Sequence, residues 1–231
     1  MFGGTPGAEL ITSLIFRRFH FAVQRIALEH VQFRLLGTDM KLKLALLAGA
    51  AALMASSANA GVVEEVRLGV LQHNICVLDC DNADKEDGPD ISGEIVFKSP
   101  DFLSWAFDPR PYLGVTANTA GNTSFYGGGL QWSFGITENL SFEPGLGYFF
   151  HDGYNENPFV QGTPESTAFG QEHVFMGSDD LFRTSLALTY DFNEDWAAQL
   201  MYEHYSHGQI LGNGRNQGMD NIGIRIAYTF D

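Results

Sequence analysis

The carboxy-terminal run from Asn221 to Phe230 sorts into two rows of opposite character. Ile222, Ile224, Ile226, Tyr228 and Phe230 fall on one row, and Asn221, Gly223, Arg225, Ala227 and Thr229 on the other. Side chains alternate across a β-strand, so this run has one apolar face and one mixed, polar face. The same division separates Phe182, Leu186, Leu188, Tyr190 and Phe192 from Arg183, Ser185, Thr189 and Asp191, and Leu130, Trp132, Phe134 and Ile136 from Gln131 and Ser133. Beyond Ala60 no segment keeps a helical period, and the loop from Gly153 to Gly177 reads as polar and glycine-bearing. The alternation predicts eight strands, over 63–73, 91–99, 111–117, 124–136, 139–151, 181–192, 195–206 and 221–230.

Which face points inward decides the class of molecule. In a soluble barrel the apolar row would fill the lumen and Arg67, Glu94, Glu143, Arg183, Glu203 and Arg225 would face water, yet eight strands leave little interior room for so many aromatic rings. With the rows exchanged, lipid meets the aromatics and an ion-paired interior takes the charges. The connections agree. Thr137-Glu138-Asn139 and Asn193-Glu194-Asp195 read as tight turns, whereas 74–90, 152–180 and 207–220 are long; only 100–110 is longer than a turn on its side needs. The expected fold is therefore all-β, an eight-stranded antiparallel transmembrane up-and-down β-barrel of the outer membrane, with its long loops outside.

A secretory signal fits that destination. Lys41 and Lys43, the apolar run Leu44 to Met54 and the small-residue site Ala58-Asn59-Ala60 form a signal peptide over 40–60, too short to span a bilayer as a helix. Residues 1–39 precede it and read as an over-extended start, which leaves 61–231 for the barrel. Three of the 28 acidic and six of the 13 basic residues lie in the first 60, so the remainder holds 25 and 7 and carries a formal charge of −18. That charge excludes nucleic acid as a partner, and a solvated acidic surface accounts for it more simply than cation binding. Cys76 and Cys80 are the only cysteines; export permits a small staple between them, and they lack a second ligand pair at zinc spacing.

The chemistry gathers near the end of the chain. In Tyr202-Glu203-His204-Tyr205-Ser206-His207, His204 and Ser206 share a face with Trp196, Ala198, Leu200 and Tyr202, and so end a lipid-facing row. Asp220 has the parity of the apolar row in the neighbouring strand. Across one outer loop the three form a Ser-His-acid set: Ser206 attacks an ester carbonyl, His204 takes its proton, and Asp220 orients the imidazole. His207 and Gly208 are the candidates for stabilising the oxyanion. His151 and His173 read as solvated or aromatic-packed histidines. Spacing alone leaves open an esterase, a non-enzymatic structural or adhesion barrel, and an acyl-transfer barrel.

The row His204-Tyr205-Ser206 followed by Asn216-Gln217-Gly218-Met219-Asp220-Asn221-Ile222-Gly223-Ile224-Arg225-Ile226-Ala227-Tyr228-Thr229-Phe230 resembles the closing signature of the PagL-type lipid A 3-O-deacylases, also called acyloxyacyl hydrolases. Arg67-Leu68-Gly69-Val70, Glu94-Ile95-Val96-Phe97, Arg110-Pro111-Tyr112-Leu113-Gly114 and Asn118-Thr119-Ala120-Gly121-Asn122-Thr123-Ser124 are similar to further blocks of that family. The resemblance implies an outer-membrane barrel that hydrolyses the 3-position ester of lipid A in lipopolysaccharide without a cofactor or metal, and it leaves a homodimer open. It places His204, Ser206 and Asp220 at the catalytic positions. The chain departs from the pattern twice, with His207 where many relatives carry Asn and with Asp220 where the best-studied type carries the longer Glu.

Overall fold

Alternating rows need a partner on each edge, and the strands supply one another in a closed ring. The computed structural model describes residues 62–78, 80–83, 85–212 and 214–230. The expected early start over 1–39 and the signal segment 40–60 lie outside the described residues. Nine strands form: β1 Val63–Gln72, β2 Pro89–Phe97, β3 Arg110–Asn118, β4 Phe125–Gln131, β5 Phe134–Gly135, β6 Leu140–His151, β7 Asp180–Asp191, β8 Trp196–Ser206 and β9 Met219–Thr229. Each pairs antiparallel with its neighbours, β1 pairs with both β2 and β9, and β4 and β5 both pair with β6, which closes the barrel.

The β4–β5 pair is one stave of an eight-stave barrel, broken at Trp132 and Ser133 where a single strand over 124–136 was expected. There the Trp132 indole N–H donates to the Ala106 carbonyl at 2.8 Å, in a 3-10 segment at Asp101–Ala106 that fills the over-long turn. The second difference lies in the loop 152–179. Pro164–Glu172 forms a helix, α1, which the absence of helical periodicity had not predicted. Its start is a local signal rather than a periodic one: Thr163 caps it by accepting from the Ser166 N–H, and Pro164 stands in the first turn, where its missing N–H costs nothing.

The inward row is charged and the outward row apolar, as the membrane reading requires. Leu68, Val70, Leu146, Leu188, Leu200, Ile224 and Ile226 are exposed on the wall, and Tyr190, Phe192 and Trp196 gather at its tight-turn end. Inside, Arg67 reaches Glu143 at 2.8 Å and Gln131 at 2.8 Å, Arg183 reaches Glu94 at 2.7 Å and Glu203 at 2.7 Å, and Arg225 reaches Glu94 at 2.7 Å and Gln199 at 3.0 Å. Arg110 joins from the rim to Glu65 at 3.0 Å and Glu143 at 3.3 Å. Every charge in this lattice has an opposite partner, which is the condition for burying it. A second layer is aromatic: Tyr205 stacks on Phe125 with centroids 3.8 Å apart, and the Arg183 guanidinium lies 5.2 Å over Tyr112 and 5.1 Å over Phe149.

The long loops close the mouth. Val174 and Met176 fold inward and are fully buried, and Glu86 accepts from the Val174 and Thr123 N–H groups at 2.8 and 3.0 Å. Just beyond β1, His73 sits between Asp90 at 2.8 Å and Glu86 at 3.6 Å. Burial alone would lower the pKa of His73, but its hydrogen bond to Asp90 and the neighbouring Glu86 carboxylate raise it to about 9 from an ordinary 6.5.

Two expectations follow for stability. Removing Glu94 takes one carboxylate from Arg67 and Arg183 and leaves Arg225 with none among the described residues of the lumen, so Glu94→Ala should destabilise the barrel by about 3–5 kcal/mol and Glu64→Ala, at the half-buried rim, by under about 1 kcal/mol, as read by urea unfolding from lipid vesicles. Because the folded pKa of His73 is raised, its stabilisation is fully present below about pH 6.5 and is lost as pH rises through about 9. Melting temperatures of the detergent-folded barrel should fall over that window, and His73→Gln should remove that step.

Candidate active site

Strand parity carries Tyr202, His204 and Ser206 to the outward side of β8, near its long-loop end, while Glu203 and Tyr205 turn inward and are fully buried. The β8–β9 register sets His204 directly opposite Asp220 and Tyr205 opposite Met219. The imidazole Nδ1 and Asp220 Oδ1 stand 2.7 Å apart, a bond across adjacent staves. His204 keeps a partly exposed side chain and the Asp220 side chain is fully buried.

With Nδ1 committed to the carboxylate, Nε2 is the other nitrogen, and a glycine makes room for that edge of the ring. One step beyond the Tyr205–Met219 pair, Ser206 and Gly218 stand level across the two chains. A β-carbon at Gly218 would lie 2.6 Å from Cε1 of His204 and 3.3 Å from Nε2, so the ring edge occupies the space that only glycine leaves. Ser206 is half-buried on the same wall, opposite Phe182 of β7. Among the described residues its hydroxyl makes no hydrogen bond to His204; such bonds are commonly long without substrate and tighten when it binds.

Asp220 carries more partners than the histidine. The Tyr202 hydroxyl donates to Oδ1 at 2.7 Å, and the backbone N–H groups of Val77 and Leu78 donate to Oδ2 at 3.2 and 2.6 Å. Those two residues belong to a loop closed by a disulfide between Cys76 and Cys80, the staple expected from the sequence. Tyr202 shares the parity of His204 and Ser206, so a polar tip on that row was the signal available for it. The backbone donors carry no signal in residue type.

The two oxyanion candidates part company. His207 follows the inward parity and is fully buried; its Nδ1 accepts from the Gln209 N–H at 3.1 Å, and its other edge faces Gly177, where a β-carbon would come within 3.2 Å of Nε2. Its imidazole therefore lies on the far side of the strand from Ser206. Gly208 is exposed, has a φ of +60°, and packs by Phe182, the cross-strand partner of Ser206. His173 stacks on Phe169 with centroids 4.0 Å apart, and the His151 Nε2 contacts the Ser178 carbonyl at 2.6 Å, so both serve the loop architecture. Among the described residues no group of three or more His, Cys, Asp or Glu side chains is arranged to hold a metal ion.

The family model of the lipid A 3-O-deacylase (PagL) matches residues 103–229. The similarity read in Arg67 to Val70 and Glu94 to Phe97 lies outside that span. No curated protein sequence matches the chain. Among solved structures it is similar to the crystal structure of the outer membrane enzyme PagL, at 11% identity over 72% of this chain and 97% of that one, with a TM-score of 0.46. It is also similar to the N-terminal β-barrel domain of Pseudomonas aeruginosa OprF, at 13% identity over 73% and 99% with a TM-score of 0.45. The attachment invasion locus protein Ail of Yersinia pestis is a third, at 10% identity over 73% and 99% with a TM-score of 0.42.

Proposed function

The chain belongs to the lipid A 3-O-deacylase family and resides in the bacterial outer membrane, and from that premise we propose that it removes the 3-O-linked (hydroxy)acyl chain of lipid A in lipopolysaccharide with Ser206, His204 and Asp220. The observation that carries this reading is the 2.7 Å His204–Asp220 bond on the lipid-facing wall, one residue from a hydroxyl on the same row. A substrate that reaches this wall from the outer leaflet presents its ester to the side of the barrel. The signal over 40–60 would deliver the chain to that membrane.

The geometry supports the following roles. Ser206 Oγ attacks the ester carbonyl as His204 Nε2 takes its proton, while Nδ1–H stays on Asp220, which stabilises the imidazolium. Collapse of the tetrahedral intermediate returns the proton from Nε2 to the sugar 3-oxygen and leaves the acyl group on Ser206. Water then attacks the acyl-enzyme with the same imidazole as base, freeing the fatty acid. General-base help of this kind is worth ~10²–10⁴-fold. Of the two oxyanion candidates Gly208 is the better supported, since it neighbours Phe182, the cross-strand partner of Ser206, whereas the His207 ring is buried in the loops.

Expression in an outer membrane of known lipid A, followed by mass spectrometry of the lipid, is the direct test. Lipid A should lose the mass of one 3-linked hydroxyacyl chain with the unaltered protein and stay intact with Ser206→Ala or His204→Ala. Intact lipid A beside a folded, unaltered barrel would overturn the esterase reading and favour a non-enzymatic barrel; equal loss with Ser206→Ala would mean another nucleophile. Gly218→Ala pushes a methyl group into the imidazole edge and should lower the rate by about 10²-fold, the scale of a roughly 1 Å misplacement, with the barrel still folded.

A further inference from the structure

Asp220 poses a problem that the catalytic reading does not solve. By parity it belongs to the outward row with Ile222, Ile224 and Ile226, which are exposed to lipid, and a carboxylate facing hydrocarbon is strongly disfavoured. Yet Asp220 is only 1% exposed. What covers it is the loop after β1. The Ile75 N–H donates to the Asp220 carbonyl at 2.7 Å, and the successive N–H groups of Val77 and Leu78 converge on Oδ2. Consecutive backbone N–H groups aimed at one oxygen make a small anion-binding concavity.

Side-chain packing does not hold that concavity in place. Val77 and Leu78 are 50% and 68% exposed, so no burial fixes them over the carboxylate. The Cys76–Cys80 bond closes the chain around them instead, with the two Cα atoms 4.3 Å apart. Behind the ring, the Asn74 N–H donates to Asn221 Oδ1 at 3.0 Å, and the Asn74 amide donates to the carbonyls of Asn82 at 2.6 Å and Lys85 at 2.8 Å. A ring anchored on one side and closed by a covalent bond presents its N–H groups without needing a core.

We propose that the disulfide-closed loop Cys76–Cys80 is a positioning clamp for Asp220, fixing the carboxylate so that Oδ1 faces His204 while Oδ2 is held by Val77 and Leu78. Together with Tyr202 on Oδ1, these contacts give the carboxylate four donors among the described residues, on both oxygens, which oppose its rotation. The clamp keeps an ionised group on the lipid-facing wall, and its exposed Val77 and Leu78 side chains meet the acyl chains of the outer leaflet. The kinetic consequence rests on the esterase reading; the positioning itself does not.

Two probes separate the claims. In protein labelled with 15N-histidine and folded in detergent micelles, the His204 Nδ1–H proton should resonate far downfield, assigned by its loss in His204→Gln. Dithiothreitol, oxidised to its cyclic disulfide as Cys76 and Cys80 gain two electrons and two protons, opens the ring in protein that is already folded; Cys76→Ser with Cys80→Ser opens it genetically. With the barrel intact by heat-modifiable gel migration, the resonance should broaden or move upfield. On lipopolysaccharide kcat should fall about 10–100-fold with KM changed less than about 3-fold, and reoxidation should restore both. Tyr202→Phe should act in the same direction, more weakly. An unchanged resonance in the reduced, folded protein overturns the clamp, whatever the rate does. A responding resonance in a protein that cleaves no lipid supports the clamp and overturns the esterase reading.

Discussion

The guanidinium–carboxylate lattice in the lumen is the constraint from which the remaining structure follows. Glu94 alone meets Arg67, Arg183 and Arg225, and Glu143 meets Arg67 and Arg110. Ionised groups at this density are tolerable only when they face one another, so the charged row must point inward and its apolar complement outward. A barrel built this way has no stable place in water: its wall of Leu, Ile, Val and aromatic residues is the surface a bilayer requires. The side-chain layers stack upward from ion pairs to the Phe125–Tyr205 stack to Val174 and Met176 from the loops, so the lumen is occupied by side chains.

An occupied lumen displaces the chemistry to the wall. The charged residues inside are spent on the lattice, and in the proposed reaction a substrate carrying several acyl chains reaches the barrel from the side. Reactive groups must then interrupt the lipid-facing row, and the rim at the end of β8 is where such an interruption is least costly, since the outer loops lie next to it. His204 and Ser206 occupy that position, with Asp220 drawn in from β9 by the register. The same lattice that stabilises the barrel therefore dictates where a site can be.

Much of this was legible as alternation. The staves over 139–151, 181–192 and 195–206 fell within a residue of β6, β7 and β8, because charged-in and apolar-out rows leave only one register that buries every charge. Parity also placed His204, Ser206 and Asp220 on one face before any contact was known. Helix α1 escaped, since nine residues in a polar loop carry no periodic stripe, and only Thr163-Pro164 marks where it starts. The break at Trp132 and Ser133 escaped because it follows from a contact with a distant carbonyl at Ala106. His207 was grouped with the reactive residues although its odd offset from Ser206 sends its ring inward, a distinction parity could have drawn.

The donors on Asp220 belong to a different class of information. A main-chain N–H is present at nearly every position, so neither Val77 nor Leu78 announces a role, and their apolar side chains are exposed. What residue type does announce is the short arm of Asp220, where the resemblance put a longer Glu in the best-studied type. An aspartate on a strand meets a cross-strand imidazole only at direct register, which the 2.7 Å contact at the His204–Asp220 pair satisfies. Its second oxygen is met by the Val77 and Leu78 N–H groups of the loop after β1. The shorter acid and the stapled loop thus form one arrangement: the carboxylate is fixed by bringing donors to the wall instead of extending the side chain toward them.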